Sequence, residues 1–369
     1  MRRYSKVFIL MAFLGLILSP VSVSAATKAN FSYGAWFPFW KKADAILKFT
    51  SNIDRFHEIS LFSYDVQKDG TLKDRLKMQS GPWSGWLTAL HDLNIKILPT
   101  VAWFNGDEID KILSNKNLRK AHIKEIMSLA TAVPYNGVDI DYENKKAETG
   151  KYFSAFIKEL SAALHAKKKI LACSIEPRTP LSSRFTTIPK DVAYANDYKV
   201  LNSYCDEVRI MAYDQGNIDL LLNKTKGSNG NYYAPVADAD WVEKIIEETA
   251  KTISRKKIVL GIPTYGAEYL IANDNGSITY KRLNSITYKA AVDLAKSLNI
   301  TPVRNSAGEL SFTYNAASSS QPASIHFVSF TDASAVNAKI ELAKKDKLKG
   351  AMIFKIDNDG DPLLWSGLK

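Results

Sequence analysis

Short apolar runs recur along the chain with amphipathic stretches between them, the hydropathy pattern of a parallel sheet whose strands are joined by crossover helices. Eight such runs can be counted: Tyr33 to Phe37, Ile59 to Tyr64, Ile95 to Ala102, Gly137 to Asp141, Ile170 to Ile175, Val208 to Tyr213, Ile258 to Pro263 and Ala351 to Ile356. Between them, Trp83 to Leu93, Leu118 to Ala130, Tyr152 to His165 and Trp241 to Ile253 carry apolar residues at three- and four-residue spacing, which predicts helices. Eight alternations predict an α/β fold, a (β/α)8 TIM barrel. The last two strands are separated by about residues 267–347, far more chain than one helix requires, with turn signals at Asp274-Asn275-Gly276 and Ala307-Gly308. A small α+β insertion is expected there. It should hold a helix from Thr287 to Leu298, a hairpin-like run from Leu310 to Tyr314, and Ile325 to Phe330 leading into a helix from Ala333 to Ala343.

One run departs from the apolar rule. Tyr135-Asn136-Gly137-Val138-Asp139-Ile140-Asp141-Tyr142-Glu143 places carboxylates at every second position, so on a strand Asp139, Asp141 and Glu143 share one face and Val138, Ile140 and Tyr142 the other. Clustered buried acids repel and cost desolvation, which makes a purely structural role a poor explanation. A calcium loop also opens with alternating acids, but it needs Gly at its sixth position and Glu at its twelfth. Counting from Asp139, those places hold Asn144 and Gly150. Glu143 comes last, at the strand end where barrels of this kind keep their active sites. An acid held protonated by neighbouring negative charge is suited to protonating a leaving group.

These residues carry a resemblance. Asn136 to Glu143 resembles the DGxDxDxE signature of glycoside hydrolase family 18, the chitinases and related N-acetylglucosaminidases, with Asn136 in place of the first Asp at the base of the strand. Met211-Ala212-Tyr213-Asp214 is similar to that family's sixth-strand motif, and Gly261-Ile262-Pro263-Thr264-Tyr265-Gly266 to its seventh. The resemblance implies that Glu143 is the general acid and then base, that Asp141 holds a substrate acetamido group, that Asp139 tunes Asp141, and that Tyr213 hydrogen-bonds the acetamido oxygen. It also implies a sugar cleft lined by Trp36, Phe62 and Trp103, with Met211, Asp214, Tyr265 and Phe354 contributing. Phe354 stands where the family usually places Trp. Aromatic faces stack on sugar rings, whereas Phe37, Phe39 and Phe104 are read as filling the barrel mouth.

Composition narrows the setting. Arg2, Arg3 and Lys6, the uncharged run Val7 to Leu18 and the small residues Val23-Ser24-Ala25 predict a secretory signal peptide over 1–25, leaving 26–369 as the catalytic barrel. Its removal takes three basic residues from a net charge of +11, giving +11 − 3 = +8. The apolar run is shorter than the roughly twenty residues of a membrane span, so no stable span is expected after processing. No nucleic-acid motif accompanies the basic charge. Cys173 and Cys205 could form one bridge or remain two buried thiols. The five histidines show no ligand spacing, so neither a catalytic metal nor another cofactor is expected. The expected protein is therefore a secreted or cell-wall-associated glycosidase. Its partner would be an N-acetylated polysaccharide, namely chitin, peptidoglycan or a related oligosaccharide. The alternative is a lectin-like member of the same fold, against which the joint presence of Glu143, Asp141 and Tyr213 argues.

Overall fold

The computed structural model describes residues 31–369 except 42–45, 47, 49, 79, 81–82, 133, 228–230, 275–276, 319–320, 358 and 369. The expected signal peptide lies outside the described residues. Eight parallel strands close into a barrel: β1 (Ser32–Pro38), β2 (Glu58–Val66), β4 (Lys96–Trp103), β5 (Gly137–Tyr142), β6 (Ile170–Ile175), β7 (Glu207–Ile210), β8 (Ile258–Pro263) and β14 (Gly350–Phe354). Closure comes from β1, which pairs with β14 on one side and β2 on the other. A short antiparallel strand, β3 (Leu72–Asp74), adds to β2 beyond the ring.

Side-chain alternation sorts the barrel into two layers. On β5, Val138, Ile140 and Tyr142 face outward and join the main core with residues such as Phe153, Phe156 and Leu160 of the helix Gly150–His165. Trp36, Phe62, Ala102, Val259 and Met352 form a separate apolar cluster. Asn136, just below β5, pins its neighbours: its side-chain oxygen accepts from Ile97 N at 2.8 Å, and its carbonyl accepts from Ile170 N at 2.9 Å. Cys173 on β6 and Cys205 before β7 are disulfide-bonded, which settles the two states the sequence left open.

Between β8 and β14 lies the expected insertion. It is an antiparallel sheet in the order β10-β9-β13-β12-β11, built from β9 (Tyr265–Asp274), β10 (Ser277–Thr287), β11 (Val303–Arg304), β12 (Leu310–Ser318) and β13 (Gln321–Phe330). The helix Tyr288–Ser297 packs Ala291 and Ala295 against Phe312, Val328 and Phe330. Gly308 at φ +74° closes the turn into β12, a conformation that suits glycine. The β9/β10 hairpin is not evident in the hydropathy pattern, because its alternation is interrupted by polar positions such as Glu268, Asn273, Lys281 and Arg282. The helix Ala333–Lys345 then returns the chain to β14.

Candidate active site

The register places the acid row at the barrel axis. Asp139 lies beside Thr100 and Ala172, and Asp141 beside Ala102 and Ser174. Asp139, with no exposed surface, accepts from Trp36 Nε1 at 3.1 Å, Thr100 Oγ1 at 3.0 Å and Ser174 Oγ at 2.8 Å, and pairs with Arg209 Nη1 at 3.1 Å. Arg209 is equally buried. It donates to Ser60 and Glu58 on β2 and to Glu207 on its own strand, while Lys349 holds the other side of Glu207 at 2.9 Å. Burial pushes Glu58 up; it also pushes Glu207 up, but Arg209 and Lys349 outweigh it and hold Glu207 low.

Two residues further on, the environment changes. Asp141 is 3% exposed, and its Oδ1 is buried with no hydrogen-bond partner among the described residues. Burial and then the charges of Glu143 and Asp139 push its pKa well above the usual carboxylate range, against the pull of Lys145. Glu143, whose N–H donates to Trp103 O at 2.9 Å, reaches the cleft. Burial first, then Glu176 and Asp214, raise its pKa to about 7, again against Lys145. Such a carboxyl keeps its proton near neutrality and can deliver it.

These acids face a cleft of about 780 Å³ at the carboxyl ends of the strands. Tyr213 and Phe354 stack there with ring centroids 5.4 Å apart and planes 13° from parallel, and Trp36 meets the edge of Phe354 at 6.0 Å. The predicted strand over Val208 to Tyr213 is shorter than expected. The chain leaves the ladder after Ile210 in two tight turns, with Ala212 N bonded to Ile210 O and Tyr213 N to Met211 O, which turn Tyr213 into the cleft. Gly261 makes this possible: a Cβ there would come within 2.7 Å of Ile210 O and 3.2 Å of the Tyr213 ring.

Phe62, Trp103, Met211 and Asp214 also line the cleft. Tyr265 stands behind this lining, its hydroxyl donating to Asp214 Oδ1 at 2.8 Å. The expectation for Phe37, Phe39 and Phe104 needs correction. Phe37 faces outward and packs on Trp83 and Trp86, whereas Phe39 and Phe104 line the cleft, Phe104 stacking on Phe62 at 6.3 Å. The difference arises because Phe39 and Phe104 lie just beyond strand ends, where alternation no longer assigns a face.

Sequence reasoning missed several polar residues of the site. Glu176, after β6, accepts from Asn144 N at 3.0 Å and Asn196 Nδ2 at 2.9 Å and lies 3.5 Å from the buried Lys145 ammonium. Arg282, on β10, reaches Asp214 at 3.3 Å, so the insertion contributes a cation to the site. Glu108 anchors Trp103 through its indole N–H at 3.2 Å. Its helix, Gly106–Ser114, is started by Asn105, which accepts from the N–H groups of Asp107 and Glu108.

Comparison with known proteins agrees with this geometry. The family model described as "Glycosyl hydrolases family 18" matches residues 19–359. The chain is 25% identical over 267 residues to the uncharacterized glycosylase YvbX of Bacillus subtilis, covering 72% of this chain and 70% of that protein. Among solved structures, the Bacillus megaterium spore cortex-lytic enzyme SleL superposes with a TM-score of 0.70 at 20% identity, over 92% of this chain and 73% of that one. The C-terminal domain of a putative chitinase from Desulfitobacterium hafniense gives 0.73 at 21%, over 92% and 100%. At such identities the structural matches establish the fold, while the family match spans nearly the whole chain. This protein belongs to glycoside hydrolase family 18 and is a glycosidase.

Proposed function

We propose that this glycosidase cleaves β-1,4 linkages of N-acetylglucosamine-containing polymers, with the substrate's own acetamido group as nucleophile. The observation that carries the reading is the unpartnered buried Oδ1 of Asp141 beneath Glu143. A buried acceptor without a donor costs free energy, and an acetamido N–H would supply the missing donor. Glu143 protonates the glycosidic oxygen, and the electrons of the breaking C–O bond leave with that oxygen. The acetamido carbonyl oxygen closes on the anomeric carbon, which gives a cyclic cation stabilised by Asp141 and by the Tyr213 hydroxyl. Water then attacks the same carbon as its bond to the acetamido oxygen breaks and the electrons return to that oxygen, restoring the acetamido group, while the Glu143 carboxylate takes the proton of the water. Two inversions leave the anomeric configuration retained.

Chitin and peptidoglycan are the leading substrates, in keeping with the chitinase and spore cortex-lytic enzyme among the proteins it resembles. Action outside the cell belongs to the same proposal, supported by the basic and then apolar amino terminus and by the Cys173–Cys205 bridge, a bond favoured in oxidising compartments. Incubation of purified protein with chitin oligosaccharides and with peptidoglycan, followed by mass spectrometry, is expected to yield fragments ending in N-acetylated sugars. Intact substrate in both digests would contradict the proposal.

A further inference from the structure

Beyond Glu143 a second cavity of about 470 Å³ adjoins the sugar cleft and shares Glu143, Glu176 and Asp214 with it. The two halves differ in chemistry. The cleft takes its aromatic lining largely from the ends of β1, β2 and β4, whereas the second cavity is walled by polar residues following β5, β6 and β7, among them Arg178, Arg184, Tyr194 and Asn217.

Its charges are unevenly matched. Glu176 is engaged by Lys145, Asn144 and Asn196, and Asp214 by Arg282 and Tyr265. Glu143 keeps its proton up to about pH 7, so below that pH it adds no full negative charge. Arg178 and Arg184, by contrast, have no ion-pair partner among the described residues. The Arg178 guanidinium is held in place, lying 4.0 Å from the Tyr194 ring centroid and 3.6 Å from that of Tyr198, with Nη2 donating to Asn196 O. These contacts hold the guanidinium in place, and Nη2 to Asn196 O is its one hydrogen bond to a side chain or backbone group among the described residues. Arg184 is exposed on the short helix Leu181–Arg184.

A preset guanidinium and a second, unpaired one lining the same cavity at the edge of a glycan cleft match a carboxylate better than a neutral hydroxyl, because a planar fork donates two parallel charge-assisted hydrogen bonds. A polymer of N-acetylglucosamine alone offers no anion. We propose that this cavity is a carboxylate-binding subsite and that the preferred substrate is an N-acetylated glycan carrying acidic substituents next to the cleaved bond, either a lactyl ether on the sugar or the carboxylates of an attached peptide. This deepens the glycosidase reading above and rests on it for the position of the cleaved bond.

Binding tests it without turnover. Glu143→Gln protein is titrated calorimetrically with peptidoglycan-derived oligosaccharides that bear free lactyl carboxylates, with and without peptide, and with the same compounds after conversion of every carboxylate to its methyl amide. The expected ratio of affinities, free acid over amide, is roughly 10- to 100-fold, the range of hydrogen bonds to charged groups. In Arg184→Gln and Arg178→Gln backgrounds it should fall toward one. A ratio seen with peptide-free strands assigns the lactyl group, and one seen only with peptide assigns the peptide; either supports the subsite. Arg184, being exposed, keeps the test readable if loss of the stacked Arg178 prevents folding. A ratio near one in the parent, or one that both substitutions leave intact, overturns the proposal. Absence of hydrolysis by wild type would refute the glycosidase mechanism instead, since the titration does not depend on it.

Discussion

Asp139 and Asp141 occupy one face of one strand two residues apart, yet the protein treats them oppositely. Asp139 meets three hydrogen-bond donors and a guanidinium and is a satisfied charge in the barrel interior. Asp141, equally enclosed, lacks a partner for one oxygen, and Glu143 above it keeps its proton to about pH 7. The contrast shows that residue type and burial do not define a catalytic acid. What differs is the supply of donors: the lower carboxylate is matched by the protein, whereas Asp141 Oδ1 has no partner among the described residues, and the mechanism proposed above has the substrate supply it.

The comparison can be broken in order of expected effect. Glu143→Gln keeps size and removes the proton, so hydrolysis should fall about 10²- to 10⁴-fold in steady-state assays while calorimetry still detects binding; unchanged turnover would place the acid elsewhere. Arg209→Met strands Asp139, Glu58 and Glu207 in the interior, and the loss of one partner from such a group predicts destabilisation by about 3–5 kcal/mol in urea titration. Asp141→Asn should depress turnover as well, yet leave the unfolding midpoint unchanged or higher, since it removes an acid whose charged form is disfavoured by burial. A large stability loss would make Asp141 a structural residue like Asp139.

The pH profile sharpens the same contrast more gently. Because the folded protein raises the Glu143 pKa to about 7, kcat/KM should decline above that pH as the acid form is lost. Glu176→Gln removes a like charge and should move this alkaline limb to lower pH, whereas Lys145→Met removes a favourable cation and should move it higher. Opposite displacements would show that another group governs the limb.

Much of this arrangement is legible in the chain. The acid row declares itself because alternation puts Asp139, Asp141 and Glu143 on one face against Val138, Ile140 and Tyr142 on the other. Glu207-Val208-Arg209-Ile210 shows the same alternation, with the charged Glu207 and Arg209 on one face and Val208 and Ile210 on the other, inside a run that otherwise reads as an apolar strand. Arg209 was thus readable and overlooked. Arg282 and Glu176 were not, because each reaches the site from a loop or hairpin whose placement depends on tertiary packing. Phe104 and Phe39 show the limit of periodicity, which ends where the strand does.

Digestion of a partially N-deacetylated form of the glycan this protein cleaves tests the central claim most directly. If the acetamido group is the nucleophile, mass spectrometry should find N-acetylglucosamine at every newly formed reducing end. New reducing ends carrying free glucosamine, formed at rates comparable to acetylated ones, would contradict substrate assistance and the role given to Asp141.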